Sequence, residues 1–175
     1  RRILQELTDQ VREHLPSIQH TLRILGELDF INAKARLSEQ WRGNRPKLCS
    51  ERRVHLLQAR HPLLLIQHEH DWEHVVPLTL HLKEDHTTLL ITGPNTGGKT
   101  VSLKTIGLLT LMVQAGLHIP AAADSEMCVF HNIYADIGDQ QSIEQNLSTF
   151  SSHISHIVEI LAEADAHSLV LLDEL

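Results

Sequence analysis

The sequence contains little cysteine, no long apolar run and no surplus of positive charge. Its two cysteines, Cys49 and Cys128, are too few for a disulfide framework or a four-cysteine metal site. No stretch of about eighteen apolar residues offers a membrane-spanning helix. The first residues also lack the small-residue cleavage site of a secretory signal. We therefore predict a cytoplasmic protein with no membrane partner.

Charge and histidine content narrow the function classes further. Lys and Arg number 15 against 22 Asp and Glu, a formal net charge of −7, so the whole chain is not predicted to be a nucleic-acid clamp. Among 14 histidines, the pairs His68/His70 and His153/His156 have a spacing that fits a metal, but surface histidines are the simpler interpretation. One basic cluster, interpreted as a solvated loop, comprises Arg42, Arg45, Lys47, Arg52 and Arg53.

Apolar periodicity divides the chain into a helical arm and an α/β part. Apolar residues recur every three or four positions from Ile3 to Ala35, which predicts two helices separated at Pro16 and ending near Gln40. A loop follows at 41–46, and beyond it strands and helices alternate, which favours an α/β sheet. The predicted elements are short strands within 54–66 and 75–82, a strand at 87–92, a helix at 99–115 ended by Gly116, a strand within 129–137, a helix around Phe150 capped by Ser148 or Thr149, and a strand at 169–172.

A glycine-rich segment after the strand predicted at 87–92 matches the phosphate-loop pattern G-x-x-x-x-G-K-[ST] in full. Glycines let backbone N–H groups converge on phosphate oxygens, and the N-terminus of the following helix adds partial positive charge. Lys99 supplies a cation to the β- and γ-phosphates, and Thr100 offers a hydroxyl to Mg²⁺. The sequence thus predicts a nucleotide site formed by Gly93, Pro94, Asn95, Thr96, Gly97, Gly98, Lys99 and Thr100.

Two further features fit the same site. Asp173 and Glu174 follow an apolar run, as expected at the end of a neighbouring strand. An aspartate there holds Mg²⁺, and a glutamate after it orients and deprotonates the attacking water. Ser148 and Thr149 lie at a predicted helix start, a second anion-binding end, which favours a nucleotide held between two subunits. Because the chain stops in this apolar run, we expect it to end inside a domain.

These residues, in this order, resemble the MutS family of ABC-type ATPases. The resemblance covers nearly the whole chain and is most specific over 87–175. The stretches 27–36 and 140–145 are most similar to the second bacterial MutS branch, which lacks the mismatch-recognition domain and usually carries a C-terminal Smr nuclease domain. The segments that carry the family resemblance are Arg60–Leu63, Thr92–Thr100, Ala115–Ala121, Asp136–Asp139, Leu147–Phe150 and Leu171–Glu174.

The resemblance implies a fold and an activity. The fold would be an α/β P-loop ABC-type ATPase sheet flanked by helices and preceded by a helical lever arm. Residues 1–42 would be the lever segment, and residues 43–175 an ATPase domain truncated after the Walker B strand. ATP and Mg²⁺ would be the cofactors. The implied roles are Val75 near the adenine, Thr100 and Asp173 at the metal, and Lys99 and Glu174 in catalysis.

The resemblance also implies partners. ATPase domains of the family dimerise head to tail, so Ser148 and Thr149 are expected to approach the γ-phosphate bound to the other subunit of a homodimer. One implied function is a DNA-binding protein that recognises branched DNA and suppresses homologous recombination, with endonuclease activity in a domain outside this chain. The alternative is an ATPase that acts on stalled or collided ribosomes, with ribosomal RNA as its target.

Two other classes stay open from the residues alone. A small-molecule P-loop phosphotransferase uses the same loop, but nucleoside-type kinases need an arginine-rich lid, and residues 117–167 contain no arginine. A structural module that binds nucleotide without hydrolysing it needs no general base, so Glu174 distinguishes that class from an ATPase.

Overall fold

The computed structural model describes residues 1–68, 71–94, 97–137 and 146–173, with the backbone alone described for 146–152. Helices and strands alternate through most of this length, so the α/β class is confirmed. In chain order the elements are α1 (Arg2–Glu13), α2 (Leu15–Gln40), β1 (Lys47–Cys49), β2 (Val54–Ala59), α3 (Pro62–Gln67), β3 (Leu78–Leu82), α4 (Lys99–Gln114), β4 (Glu126–Cys128), β5 (Asn132–Asp136), α5 (Asn146–Glu163) and β6 (Ser168–Leu172).

α1 and α2 form the arm predicted for the first forty residues, and neither has a buried residue. They separate at His14, just before Pro16, because proline is tolerated in the first turn of a helix, where its missing N–H needs no partner. The last turns of α2 attach to the rest of the chain. Lys34 Nζ donates a hydrogen bond to the Ala115 carbonyl at 2.9 Å, and Trp41 then joins the core.

Four strands form one mixed sheet in the order β1-β4-β2-β3. β1 and β4 are parallel, whereas β2 is antiparallel to both β4 and β3. Val54, Leu56 and Ala59 of β2 are buried, so one face of this sheet packs on the core. The strands predicted within 54–66 and 75–82 are confirmed as β2 and β3. Residues 62–67 were expected to be extended but form α3, because Pro62 suits the first position of a helix.

β5 and β6 form a separate parallel pair, aligned from Asn132↔Ser168 to Asp136↔Leu172. The strand predicted at 87–92 is wrong: the segment has no regular structure and pairs with no strand in the described part of the chain. Leu90 there is 77% exposed. A strand needs a neighbour for its backbone hydrogen bonds, so an apolar run without one stays irregular. A single P-loop sheet is therefore not assembled within the described residues.

α4 supplies much of the core. It ends where the sequence predicts, since Gly116 has φ 72° and the N–H groups of Gly116 and Leu117 each donate at 2.9 Å to carbonyls of the last turn. Within the ranges given above, no helix is long and apolar enough to cross a membrane. The buried cluster joins residues of α4, β2, β3, β4 and β6, among them Leu56, Leu80, Ile106, Leu109, Met112, Met127, Leu169 and Leu171.

α4 approaches β6 closely at Gly107. A Cβ built on Gly107 would lie 2.7 Å from Leu171 Cδ1, closer than carbon atoms pack, so any larger residue here would force the end of the Leu171 side chain to shift. α4 begins at Lys99 and β6 ends at Leu172. The contact therefore lies between the helix that follows the phosphate loop and the strand that precedes Asp173.

Candidate functional site

The segment before α4 has the backbone that a phosphate loop requires. Gly93 and Gly98 have φ values of 150° and 80°, which L side chains rarely adopt. No atom of a described residue lies within 4 Å of a Cβ built on either glycine, so among these residues conformation rather than space demands them. The Gly97 N–H donates to the Pro94 carbonyl at 2.9 Å and closes a turn. The other two predicted loop residues, Asn95 and Thr96, lie outside the described residues.

The first two residues of α4 contact both sides of this site. Lys99 Nζ donates to the Gly93 carbonyl at 2.6 Å, which holds the ammonium against the loop backbone. Thr100 Oγ1 donates to Asp173 Oδ2 at 2.5 Å, across 73 positions of sequence. Asp173 is 8% exposed, and its N–H donates to the Asp136 carbonyl at 3.0 Å. The structure thus brings the two predicted metal ligands together at the phosphate loop.

The donor set of this site fits Mg²⁺. Thr100 offers a hydroxyl and Asp173 a carboxylate, and Mg²⁺ binds oxygen through one or two such ligands together with water and phosphate oxygens. α4 points its N-terminus at the same place, where the helix dipole favours an anion. The loop suits a phosphate group, and Thr100 and Asp173 suit a magnesium ion. Together they therefore fit a phosphate group bound to magnesium.

The Arg60-His61-Pro62 element is structural and stabilises the segment before β3. Arg60 Nε donates to the carbonyls of Trp72 and Val75 at 3.1 and 3.0 Å, and its guanidinium carbon lies 4.7 Å from the Trp72 ring centroid. Val75, predicted to lie near the adenine, is 2% exposed, whereas Val76 is 86% exposed. The side chain presented at the surface here is that of Val76, and the role of Val75 stays a prediction.

His61, the middle residue of this element, lies near Lys104 of α4. Burial lowers its pKa, and the nearby Lys104 cation lowers that pKa further. Its Nδ1 is buried and has no hydrogen-bond partner among the described residues. Both observations indicate a neutral imidazole near the helix that carries the phosphate loop.

The sequence singled out His153 and His156 by their spacing but not their common partner, Asp136 at the end of β5. His153 Nδ1 is 2.7 Å from Asp136 Oδ2, and His156 Nδ1 is 3.7 Å from Asp136 Oδ1. The Asp136 and His153 side chains are only 14% and 17% exposed. Both histidines thus share one carboxylate, and no group of three or more metal-ligating side chains occurs where side chains are described. His70, of the other spaced pair, lies outside those residues.

Three predicted site residues have no described side chain. α5 begins at Asn146, so Ser148 and Thr149 lie within its first turn and are not its N-cap as expected. They nevertheless remain at a helix N-terminus, where backbone N–H groups are available to an anion. Glu174 lies outside the described residues. The roles of Ser148, Thr149 and Glu174 stay predictions.

Two members of the basic cluster, Lys47 and Arg53, are paired with carboxylates. Arg53 contacts Glu51 and lies 3.0 Å from Glu126, and Lys47 lies 3.2 Å from the same Glu126. The hydrogen bond from Arg53, followed by that from Lys47, lowers the pKa of Glu126. These exposed pairs confirm the interpretation of a solvated surface for these two members of the cluster.

A phosphate loop at the start of a helix, with its threonine on an aspartate at the end of a strand, is typical of P-loop nucleotide-binding proteins. The family model for MutS domain V matches residues 89–175. Over 174 residues the chain is 56%, 53% and 52% identical to proteins named endonuclease MutS2 from Geobacillus sp. (strain WCH70), Agathobacter rectalis and Caldanaerobacter subterraneus. The chain belongs to the MutS family. The matches cover 99% of it but only 21% of each relative.

Proposed function

We propose that this chain binds and hydrolyses ATP as the ATPase part of a MutS-like protein that acts on DNA. The observation that carries the proposal is the contact of Thr100 with the buried Asp173 beside a phosphate loop. This pairing joins two motifs far apart in sequence into one site with the donor set for Mg²⁺. Membership of the MutS family supports DNA as the target and the cytoplasm as the location.

Each residue has a distinct role in the proposed reaction. Lys99 binds the β- and γ-phosphates as a point charge, and the loop glycines direct backbone N–H groups at the same oxygens. Thr100 and Asp173 hold Mg²⁺, which when bound neutralises charge on the phosphates. Glu174 orients and deprotonates the attacking water. The nuclease activity named for the relatives belongs, in this proposal, to parts of those proteins that this chain does not match.

Lysine substitutions on α4 provide a direct test with an internal control. In the full-length protein, Lys99→Ala should weaken ATP binding at least about tenfold, since a charge-assisted contact contributes about 1.5–3 kcal/mol. Lys104→Ala removes an equally charged but exposed side chain from the next turns of the same helix and should leave affinity unchanged. Equal ATP affinity of the two variants in a calorimetric titration would rule out the phosphate-loop assignment.

The proposed dimer has its own test. Ser148 and Thr149 of one subunit are proposed to approach the phosphates bound by the other, so a Lys99→Ala subunit and a Ser148→Ala/Thr149→Ala subunit have complementary defects. Each variant alone should be inactive. A mixture should regain ATPase activity, because each heterodimer contains one intact site. A mixture that stays as inactive as its components would refute the arrangement in trans.

A further inference from the structure

We propose that His153 is a positioning residue for ATP hydrolysis: paired with Asp136, it fixes the first half of α5, so that Ser148 and Thr149 are presented to the nucleotide bound by the other subunit. The inference rests on the proposed function, and it assigns a task to a pair of side chains outside the phosphate loop. It follows from two contacts of Asp136 in β5: its side chain contacts His153 of α5, and its backbone carbonyl accepts a hydrogen bond from Asp173.

Among the described side chains of α5, those that pack on the protein share one face. His153, Ile157 and Ile160 recur at the spacing of one helix face, and they are the least exposed of the α5 side chains described from 153 to 163. Ile160, 2% exposed, anchors the second half of the helix. Near its end, Glu163 faces Tyr134 of β5, where burial and the Glu163 carboxylate raise the tyrosine pKa. His153 is therefore the first described attachment of the half that carries Ser148 and Thr149.

The contact at His153 joins two polar side chains. Its Nδ1 lies 2.7 Å from Asp136 Oδ2, and this oxygen is buried with no hydrogen bond from any described residue. A buried carboxylate without a neighbouring donor or cation is costly, so Asp136 favours the placement of the imidazole beside it. His156 is 52% exposed and lies farther off, at 3.7 Å, and contributes less.

Asp136 is itself part of the nucleotide site's framework. It ends β5, its carbonyl accepts the Asp173 N–H at 3.0 Å, and Asp173 in turn accepts the Thr100 hydroxyl. One residue thus contacts the metal-binding aspartate through its backbone and α5 through its side chain. Because a small displacement of a catalytic group costs a large factor in rate, the pair determines how accurately Ser148 and Thr149 are presented.

The first test separates turnover from binding in the full-length protein. His153→Leu keeps a similar volume but removes the polar partner, and should lower kcat at least about tenfold while the affinity for a fluorescent ADP analogue changes less than about twofold. Asp136→Asn should have the same effect, and the double variant should be no worse than either single one. The control is His86→Leu, which breaks an exposed His–Asp pair of 3.0 Å and should change neither quantity.

The second test determines whether His153→Leu impairs the nucleotide site of its own subunit or that of the partner subunit. A His153→Leu subunit mixed with a Lys99→Ala subunit should regain activity, because the intact loop then meets an intact α5. A subunit with both substitutions, paired with a wild-type subunit in a heterodimer isolated through two different affinity tags, should be nearly inactive. Equal activity of this heterodimer and the similarly isolated His153→Leu/Lys99→Ala heterodimer, or a loss of nucleotide affinity in His153→Leu, would overturn the inference. If the wild-type protein hydrolyses no ATP, or the Lys99 and Ser148/Thr149 mixture fails, the proposed function is what fails.

Discussion

Replacing Gly107 with alanine would place a methyl carbon 2.7 Å from Leu171 Cδ1. Carbon atoms pack best at about 3.5–4.0 Å, so roughly 1 Å of space is missing. Leu171 is 4% exposed and cannot swing into solvent. Overpacking a buried site costs about 1–3 kcal/mol, and replacing glycine inside a helix returns about 1 kcal/mol. We expect a net loss of about 0–2 kcal/mol in the stability of α4.

A second substitution isolates the steric part of this effect. Leu171→Ala removes Cδ1 and should by itself cost about 2–5 kcal/mol through lost burial and a cavity. In that background Gly107→Ala meets no clash and should stabilise α4 by about 1 kcal/mol. The difference between the two backgrounds, about 1–3 kcal/mol, measures the close approach.

The measurement is hydrogen exchange at the α4 amides of the full-length protein, because it reports local opening rather than the unfolding of other regions. Gly26→Ala is the matched control. Gly26 lies inside α2 with no atom within 4 Å of a built Cβ, so alanine should stabilise its helix by about 1 kcal/mol. The reasoning is refuted if Gly107→Ala behaves like Gly26→Ala, or if its effect is the same with and without Leu171.

Three further outcomes are expected. Glu174→Gln should keep ATP affinity and slow single-turnover hydrolysis about a hundredfold; near-normal turnover would place the base elsewhere. Gly98→Ala should weaken ATP binding by about 1–2 kcal/mol, and Gly98→Asn by less, since asparagine tolerates φ 80°; equal losses would contradict a purely conformational role. His61 is kept neutral by burial, so its contribution to stability is present above pH 6.5 and is lost at lower pH. His61→Gln should flatten that decline in a melting series; an unchanged pH slope would argue against it.

Local signals predicted the helices and the loop well. The spacing of apolar residues located α2 and α4 to within a few residues, because each helix is long enough to show several turns of its period. Gly116 ended α4 because a left-handed residue is needed there. The phosphate loop was recognisable for a similar reason, since its glycines meet backbone requirements that are independent of the rest of the fold.

The secondary structure of two apolar segments of similar composition could not be predicted from local sequence patterns. Residues 62–67 and 87–92 both read as strands, yet the first forms α3 and the second stays irregular. Periodicity cannot separate strand from helix in runs this short, and pairing depends on a neighbour that no local pattern reveals. Gly107 did give a signal, since glycine inside a helix costs about 1 kcal/mol and often marks a close contact, but its partner Leu171 was not predictable.

The register between β5 and β6, which the sequence does not reveal, determines which way the side chains of Asp136 and Asp173 point. Asp136 is aligned with Leu172, so Asp173 falls one residue later, and alternation along a strand turns the two carboxylates to opposite faces of the β5–β6 pair. Leu171 and Asp173 face α4, where they contact Gly107 and Thr100. Asp136 faces α5 and His153. A shift of one residue in this register would exchange the faces and separate Asp173 from the phosphate loop. The alignment of β5 with β6 therefore decides which acid lies beside Thr100, at the proposed metal site, and which lies beside α5.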